Sequence, residues 1–175
     1  MALTSYVEGM DIMNQHHIWT RLSEMRDAAA LIENDHLTWD QDNTPAEKMK
    51  WDSREQFLQS CPPGSQIVAG IGEDICGYIG FKPPTPLPSN RHVLELNIAI
   101  HPAYQRQGIG RVLMEALLQL AAEQGVRKLS LRVLASNPGA IAFYQSCGFV
   151  EQGRLVDEFW INGAYVDDIL MWRKV

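Results

Sequence analysis

The chain reads as an α/β domain, with a mixed, mostly antiparallel sheet flanked by helices, and three observations predict this. An apolar run at residues 94–100 passes through a glycine-containing turn into an amphipathic helix and then into a second apolar run at 127–134. A strand-helix-strand unit of that length closes as a right-handed parallel crossover. Turn residues at Gly72-Glu73-Asp74 and Asn162-Gly163 each separate two strand-like runs, the pattern of antiparallel hairpins. Helix signals precede the first hairpin, with Thr44 as a cap, Pro45 in the first helical position and Glu47 in the first turn.

In chain order, residues 18–22 read as a first strand and 26–34 as a first helix. The signals at Thr44 predict a second helix running to about Ser60, where Pro62-Pro63-Gly64 stops it. Residues 66–71 and 75–82 form the first hairpin. The prolines at 83, 84, 86 and 88 make a stiff, extended loop rather than a domain boundary. A fourth strand follows at 92–100. In the next helix Ile109, Val112, Leu113, Ala116, Leu117, Leu120 and Ala121 repeat at the helical period, giving one buried stripe. Gly125 suits the stop of that helix. The fifth strand spans 127–134, and 149–156 with 165–172 close the sheet as an antiparallel pair.

The size of 175 residues suits a single domain over 1–175, with 1–15 set aside as a flexible N-terminal segment. A net charge of -6 with a pI near 5.3 argues against a nucleic-acid partner, which usually meets a basic face. Cys61, Cys76 and Cys147 are scattered, without a Cys-x-x-Cys pair or a histidine at zinc-ligand spacing, so reduced thiols and no metal are expected. The first residues lack a basic start and an apolar run, and no stretch reaches membrane-spanning length. The expectation is a cytoplasmic protein with no membrane partner.

The most informative stretch is Gln105-Arg106-Gln107-Gly108-Ile109-Gly110-Arg111, at the entry to the amphipathic helix. The first amides of a helix lack intrahelical partners and carry the positive end of its dipole, so a glycine-rich entry there makes an anion site. A Walker loop would need Lys-Ser/Thr after Gly110, where Arg111-Val112 stands, and a dinucleotide fingerprint would need glycine in place of Leu113. What remains is Gln/Arg-x-x-Gly-x-Gly/Ala, which resembles the coenzyme A loop of the GNAT (GCN5-related) N-acetyltransferase superfamily. The string from Leu131 through Ser136-Asn137-Pro138 and Phe143-Tyr144 to Gly148-Phe149 is similar to the second half of the same core. Within the superfamily, Leu96-Asn97-Ile98-Ala99-Ile100, Tyr104 to Gly108 and Ala135-Ser136-Asn137 resemble the ribosomal-protein alanine N-acetyltransferase branch. One residue departs: that branch has a glutamate, its proposed general base, where this chain has Arg132.

The resemblance implies a sheet of six to seven strands with about four helices, splayed between the fourth and fifth strands, and acetyl-CoA as acyl donor to an amine. It implies that main-chain groups of Ile98, Ala99 and Ile100 pair with pantetheine and that the amides of Gln105, Arg106, Gln107, Gly108, Ile109, Gly110 and Arg111 hold the pyrophosphate. Asn137 would bond the pantetheine arm, cap the next helix, or both. Tyr144 would protonate the departing thiolate, since a phenol of pKa ~10 still carries its proton at pH 7. Cys147 lies near the presumed thioester, but no histidine neighbours it and direct transfer is the family expectation. Glu95 is the candidate base: strand alternation puts Glu95, Asn97 and Ala99 on one face of their strand, and a carboxylate there could act directly or through a water.

The acceptor is less legible. A lysine-like amine of pKa ~10.4 is neutral in roughly one molecule per few thousand at pH 7, a cost of about 4 to 5 kcal/mol, whereas a peptide α-amine of pKa ~8 costs about 1 to 1.5 kcal/mol. Trp39, Asp40, Asp42, Asp157, Glu158, Tyr165 and Asp168 have the chemistry to meet a cationic amine. The reading is an N-acetyltransferase acting on a small amine, a polyamine or a peptide N-terminus. Its alternatives are a catalytically silent acetyl-CoA sensor or scaffold of the same fold and, more remotely, an unrelated nucleotide-binding domain. Relatives of this kind also form homodimers, which the residues neither require nor forbid.

Overall fold

A computed structural model gives the fold, and it describes residues 17–46 and 50–175. The segment 1–15 that the sequence sets aside lies outside the described residues. Seven strands, β1 (Ile18–Leu22), β2 (Gln66–Ile71), β3 (Asp74–Lys82), β4 (Val93–Ile100), β5 (Lys128–Leu134), β6 (Val150–Ile161) and β7 (Ala164–Lys174), form one sheet. Its order is β1-β2-β3-β4-β5-β7-β6. Four α-helices flank it: α1 (Ala28–Thr38), α2 (Arg54–Ser60), α3 (Ile109–Glu123) and α4 (Pro138–Ser146).

Every neighbouring pair is antiparallel except β4 and β5. Those two run parallel and pair only over Val93–Lys128, Leu94–Leu129 and Glu95–Ser130. Beyond Glu95 they part, while β4 stays in register with β3 through Ile100 and β5 with β7 through Leu134. The gap is therefore an opening inside the sheet rather than an edge.

Two apolar layers hold the sheet. On one face Ile109, Leu113, Met114, Leu117 and Ala121 of α3 pack on Ile67, Ile79, Leu94, Leu96 and Leu129. On the other, Ala28 and Leu31 of α1 and Phe57 of α2 pack on Val68, Tyr78 and Ala99. The α3 stripe includes Met114, with Val112 only half-buried, so the buried face is turned slightly from the one read in the sequence. Gly125, at φ 72°, ends the helix: its amide donates to the Ala122 carbonyl and that of Val126 to Ala121, the paired bonds of a Schellman stop.

The second helix differs from its expectation. Residues 45–46 are a bend, 47–49 lie outside the described residues, and α2 begins only at Arg54. Ser53 caps it, its hydroxyl accepting from the Gln56 amide at 3.1 Å. The chain before it is committed to α1, because the Trp51 indole donates to Asp35 at 2.8 Å and the Trp51 amide reaches His36. Tertiary bonds thus override a good local start signal. The first helix also runs on to Thr38, and β6 runs on to Ile161.

Candidate active site

The site grows from the parting of β4 and β5. His101 donates its amide to Cys76 of β3 at 2.9 Å, so by antiparallel alternation the main-chain groups of Ala99 also face β3, while those of Ile98 and Ile100 face the opening. A cavity of about 620 Å³ fills that opening, and Ile98 and Ile100 line it. Ala99 does not: its side chain is buried in the α1 layer. The Ile100 carbonyl already accepts from Thr38 and from the Gln105 side chain, each at 3.4 Å.

At one end of the cavity stands the turn into α3. Arg106 (φ 65°) and Gly108 (φ 86°) are both left-handed, which bends the chain sharply as it enters α3. Arg111 and Val112 donate back to the Gly108 carbonyl at 3.1 and 3.2 Å. Among the described residues, no protein acceptor takes the main-chain amides of Arg106, Gln107, Gly108, Ile109 or Gly110. Five donors without a protein acceptor at the positive end of a 15-residue helix are an arrangement suited to an anion. A Cβ on Gly108 would meet nothing within 4 Å, and one on Gly110 would come within 3.1 Å of the Phe143 ring. Gly108 is therefore needed for its backbone angle and Gly110 for the close approach of α4. Gln105, Arg106, Gly108, Ile109, Gly110 and Arg111 line the cavity, and Gln107 does not.

The wall opposite β4 comes from β5 and α4. Asn137 caps α4, its Oδ1 accepting from the Ala140 amide at 3.1 Å, and also lines the cavity. Tyr144 lines it too, 7% exposed and packed edgewise on Phe149. Burial, with a smaller contribution from Cys147, pushes its hydroxyl well above the ordinary tyrosine range, so it keeps its proton at neutral pH. Cys147 is buried beneath and lies outside the lining.

Glu95 is half-buried at the paired end of β4, between Lys82 and Ser130, and does not line the cavity; Asn97, two residues on along the same face, does. Arg132 lines the cavity and is held by Asp168 of β7, which is 3% exposed. The titratable side chains along the described lining are Tyr104, Arg106, Arg111, Arg132 and Tyr144, with no carboxylate or imidazole among them.

Of the acceptor candidates, Trp39 lines the far end of the cavity with Thr38 and Asn43. Asp40 and Asp42 instead border a neighbouring hollow with Asn162 from the β6–β7 turn. Tyr165 is exposed and packs edgewise on Trp160, Asp157 bonds through its amide to Asp167, and Glu158 is exposed. A larger cavity of about 940 Å³, between β1, α1 and the turn at Asp74, shares only Tyr104 with the first and is lined by none of the residues from 105 to 111 or 131 to 149.

Sequence reasoning missed Asp35. This carboxylate is 1% exposed behind Trp39, and it accepts from Tyr78 Oη at 2.5 Å, Trp51 Nε1 at 2.8 Å and Trp39 Nε1 at 3.1 Å. A signal existed: Asp35 falls seven positions after Ala28 and four after Leu31, on the apolar stripe of α1, where an unpaired acid does not belong.

Comparison with known proteins gives a consistent picture. The family model for the acetyltransferase (GNAT) family matches residues 30–149. A spermidine N(1)-acetyltransferase of Vibrio cholerae is 42% identical over 74 residues, 42% of this chain and 43% of that protein. The ribosomal protein bS18 alanine N-acetyltransferase of Escherichia coli is 54% identical over 55 residues, 31% of this chain and 37% of that protein. The chain thus spans less than half the length of either curated relative. In structure it is similar to a Streptococcus mutans protein at a TM-score of 0.82 and 29% identity, covering 89% of this chain and 98% of that one.

Proposed function

This chain belongs to the acetyltransferase (GNAT) family, and from that premise we propose that it transfers the acetyl group of acetyl-CoA to a primary amine by direct attack, without an acyl-enzyme. The observation that carries the reading is the coincidence, at one cavity, of the unpartnered amides of the α3 entry, the unpaired stretch of β4 and the Tyr144 side chain. The diphosphate of the donor suits the amides from Arg106 to Gly110, with Arg106 and Arg111 adding charge nearby. The pantetheine arm suits the main-chain groups of Ile98 and Ile100, which no strand satisfies, and Asn137 stands across the opening. Ala99, with its main chain turned to β3, takes no part, and Gln107 offers only its main-chain amide.

Attack by the neutral amine forms the C–N bond as the C–S bond breaks, and Tyr144 gives its proton to the leaving thiolate and regains one from the new amide nitrogen. The buried phenol keeps its proton at neutral pH and so has one to donate as the thiolate leaves. Glu95, set back from the cavity, could take part only through a water. The acceptor is a primary amine: a small amine, a polyamine or a peptide N-terminus. A relative acting on spermidine and one acting on a ribosomal-protein alanine favour the last two.

A thiol-release assay with an amine panel tests this. Wild-type protein should release thiol only when an amine is present, and Tyr144→Phe should lower kcat about 10²-fold or more with little change in KM for acetyl-CoA. Binding of acetyl-CoA without release to any amine would support a silent sensor instead.

A further inference from the structure

Acyl transfer requires the acceptor ammonium to lose a proton, yet the described lining of the cavity carries no carboxylate or imidazole to take it. Three carboxylates stand close behind the lining. Glu95 is at the paired end of β4, between Lys82 and Ser130. Asp168 is tied to the Arg132 guanidinium. Asp35 differs from both: its partners Tyr78, Trp51 and Trp39 are neutral donors, and no cation pairs with it among the described residues.

The chain of contacts leads outward from Asp35 to the cavity. Asp35 Oδ1 accepts from Tyr78 Oη at 2.5 Å, and Tyr78 Oη in turn accepts from Asn97 Nδ2 at 3.5 Å and from Trp39 Nε1 at 3.1 Å. Asn97 and Trp39 both line the cavity. Asn97 is exposed there, and its Oδ1 lies over Gly80, where a built Cβ would come within 2.3 Å.

Resting on the amine-acetylating reading above, we propose that Asp35, relayed through Tyr78 and a water held beside Asn97, receives the proton that the acceptor ammonium must lose. The N–H bond of the ammonium breaks and its proton passes to the water. The water, taking the place of the long 3.5 Å contact from Asn97 Nδ2, gives a proton to Tyr78 Oη, and Tyr78 gives its own to Asp35 Oδ1. The balance is an ammonium and a carboxylate converted to a neutral amine and a carboxylic acid, after which the proton returns to solvent by the same route. Asp35 is a positioning residue in this scheme, since it acts through Tyr78.

Burial makes this acid a better proton acceptor than an exposed aspartate, even though its three donors oppose the effect. The titratable groups that face it are His36 on α1, Tyr78 on β3 and Cys61 at the end of α2, with the neutral Asn97 on β4. The same buried charge lies beneath the Trp39 indole, which favours a cationic acceptor over a neutral one.

The test is the pH dependence of kcat/KM at saturating acetyl-CoA for wild type, Asp35→Asn and Tyr78→Phe, using spermidine and an alanyl peptide as acceptors. With spermidine at pH 7, both variants should lose about 10²-fold or more, and the deficit should shrink as pH approaches the amine pKa of ~10. With the peptide, whose α-amine has a pKa of ~8, the deficit should be smaller at every pH. A loss that is equal at all pH values and for both acceptors would mean a structural role only and would overturn the proposal. So would a profile altered by Glu95→Gln and left intact by Asp35→Asn. If Asp35→Asn does not fold, Tyr78→Phe, which removes a single hydroxyl, carries the same comparison. Wild-type protein that releases no thiol with any amine of the panel would sink the transfer reading itself, an outcome distinct from active enzyme with parallel profiles.

Discussion

Arg132 shows how one residue redirects a site. A cation at this point of β5 needs a counter-charge, and Asp168, buried at 3% exposure on the adjacent strand, supplies it. Removing only the arginine leaves that carboxylate buried without its partner, and because the guanidinium is half exposed to solvent the cost is about 1 to 3 kcal/mol. Arg132→Ala should therefore lower the melting temperature clearly, and the double change Arg132→Leu with Asp168→Leu should recover much of the loss; thermal unfolding of the two variants checks both. Gly108 makes a second residue-scale prediction. Its left-handed backbone meets no neighbour, so Gly108→Ala should strain the turn by about 1 kcal/mol. It should also weaken acetyl-CoA binding by disturbing the amide row, as titration calorimetry would register.

At the scale of the element, the start of α1 carries a pH-dependent contribution. Arg21 donates two hydrogen bonds to Asp27, at 2.6 and 2.8 Å, and the Glu24 amide adds a third at 2.7 Å. The Arg21 bond is the main reason that the Asp27 carboxyl is held below the usual range. A depressed folded pKa gives stability that is present above the unfolded value of ~3.9 and is lost as pH falls through the folded value. The stability gap between wild type and Asp27→Asn should thus be constant near neutrality and close below about pH 4, as measured by denaturant unfolding across pH. The helices also show what sequence reading reaches. The entry to α3 was legible because its signals, Gly108, Gly110 and an apolar stripe, act within one turn of one another. The start of α2 was not: the Thr44-Pro45 signal lost to Ser53, whose position is fixed by Trp51 bonding back to Asp35 sixteen residues earlier. The same separation hid the rest of the site. Asp35 meets Tyr78 across 43 positions and Arg132 meets Asp168 across 36, so neither pair leaves a local pattern.

At the scale of the molecule, the fold works by withholding one strand pairing. The sheet is continuous from β1 to β6 except where β4 and β5 separate past Glu95, and both strands are braced by their outer neighbours. The opening can therefore stay unpaired without fraying the sheet, and a ligand that pairs with β4 gains a rigid partner. Saturating acetyl-CoA at a hundred times its Kd should add about 2.7 kcal/mol to stability, seen as a rise in melting temperature that ATP does not reproduce.

The most direct test of the account is amide NMR during titration with acetyl-CoA. It predicts that the largest shifts fall on the amides of residues 106–110, with Ile98 and Ile100 following, as the donor fills the opening. Shifts concentrated around Glu33 and Asp74 in the larger cavity, with residues 106–110 unmoved, would contradict it.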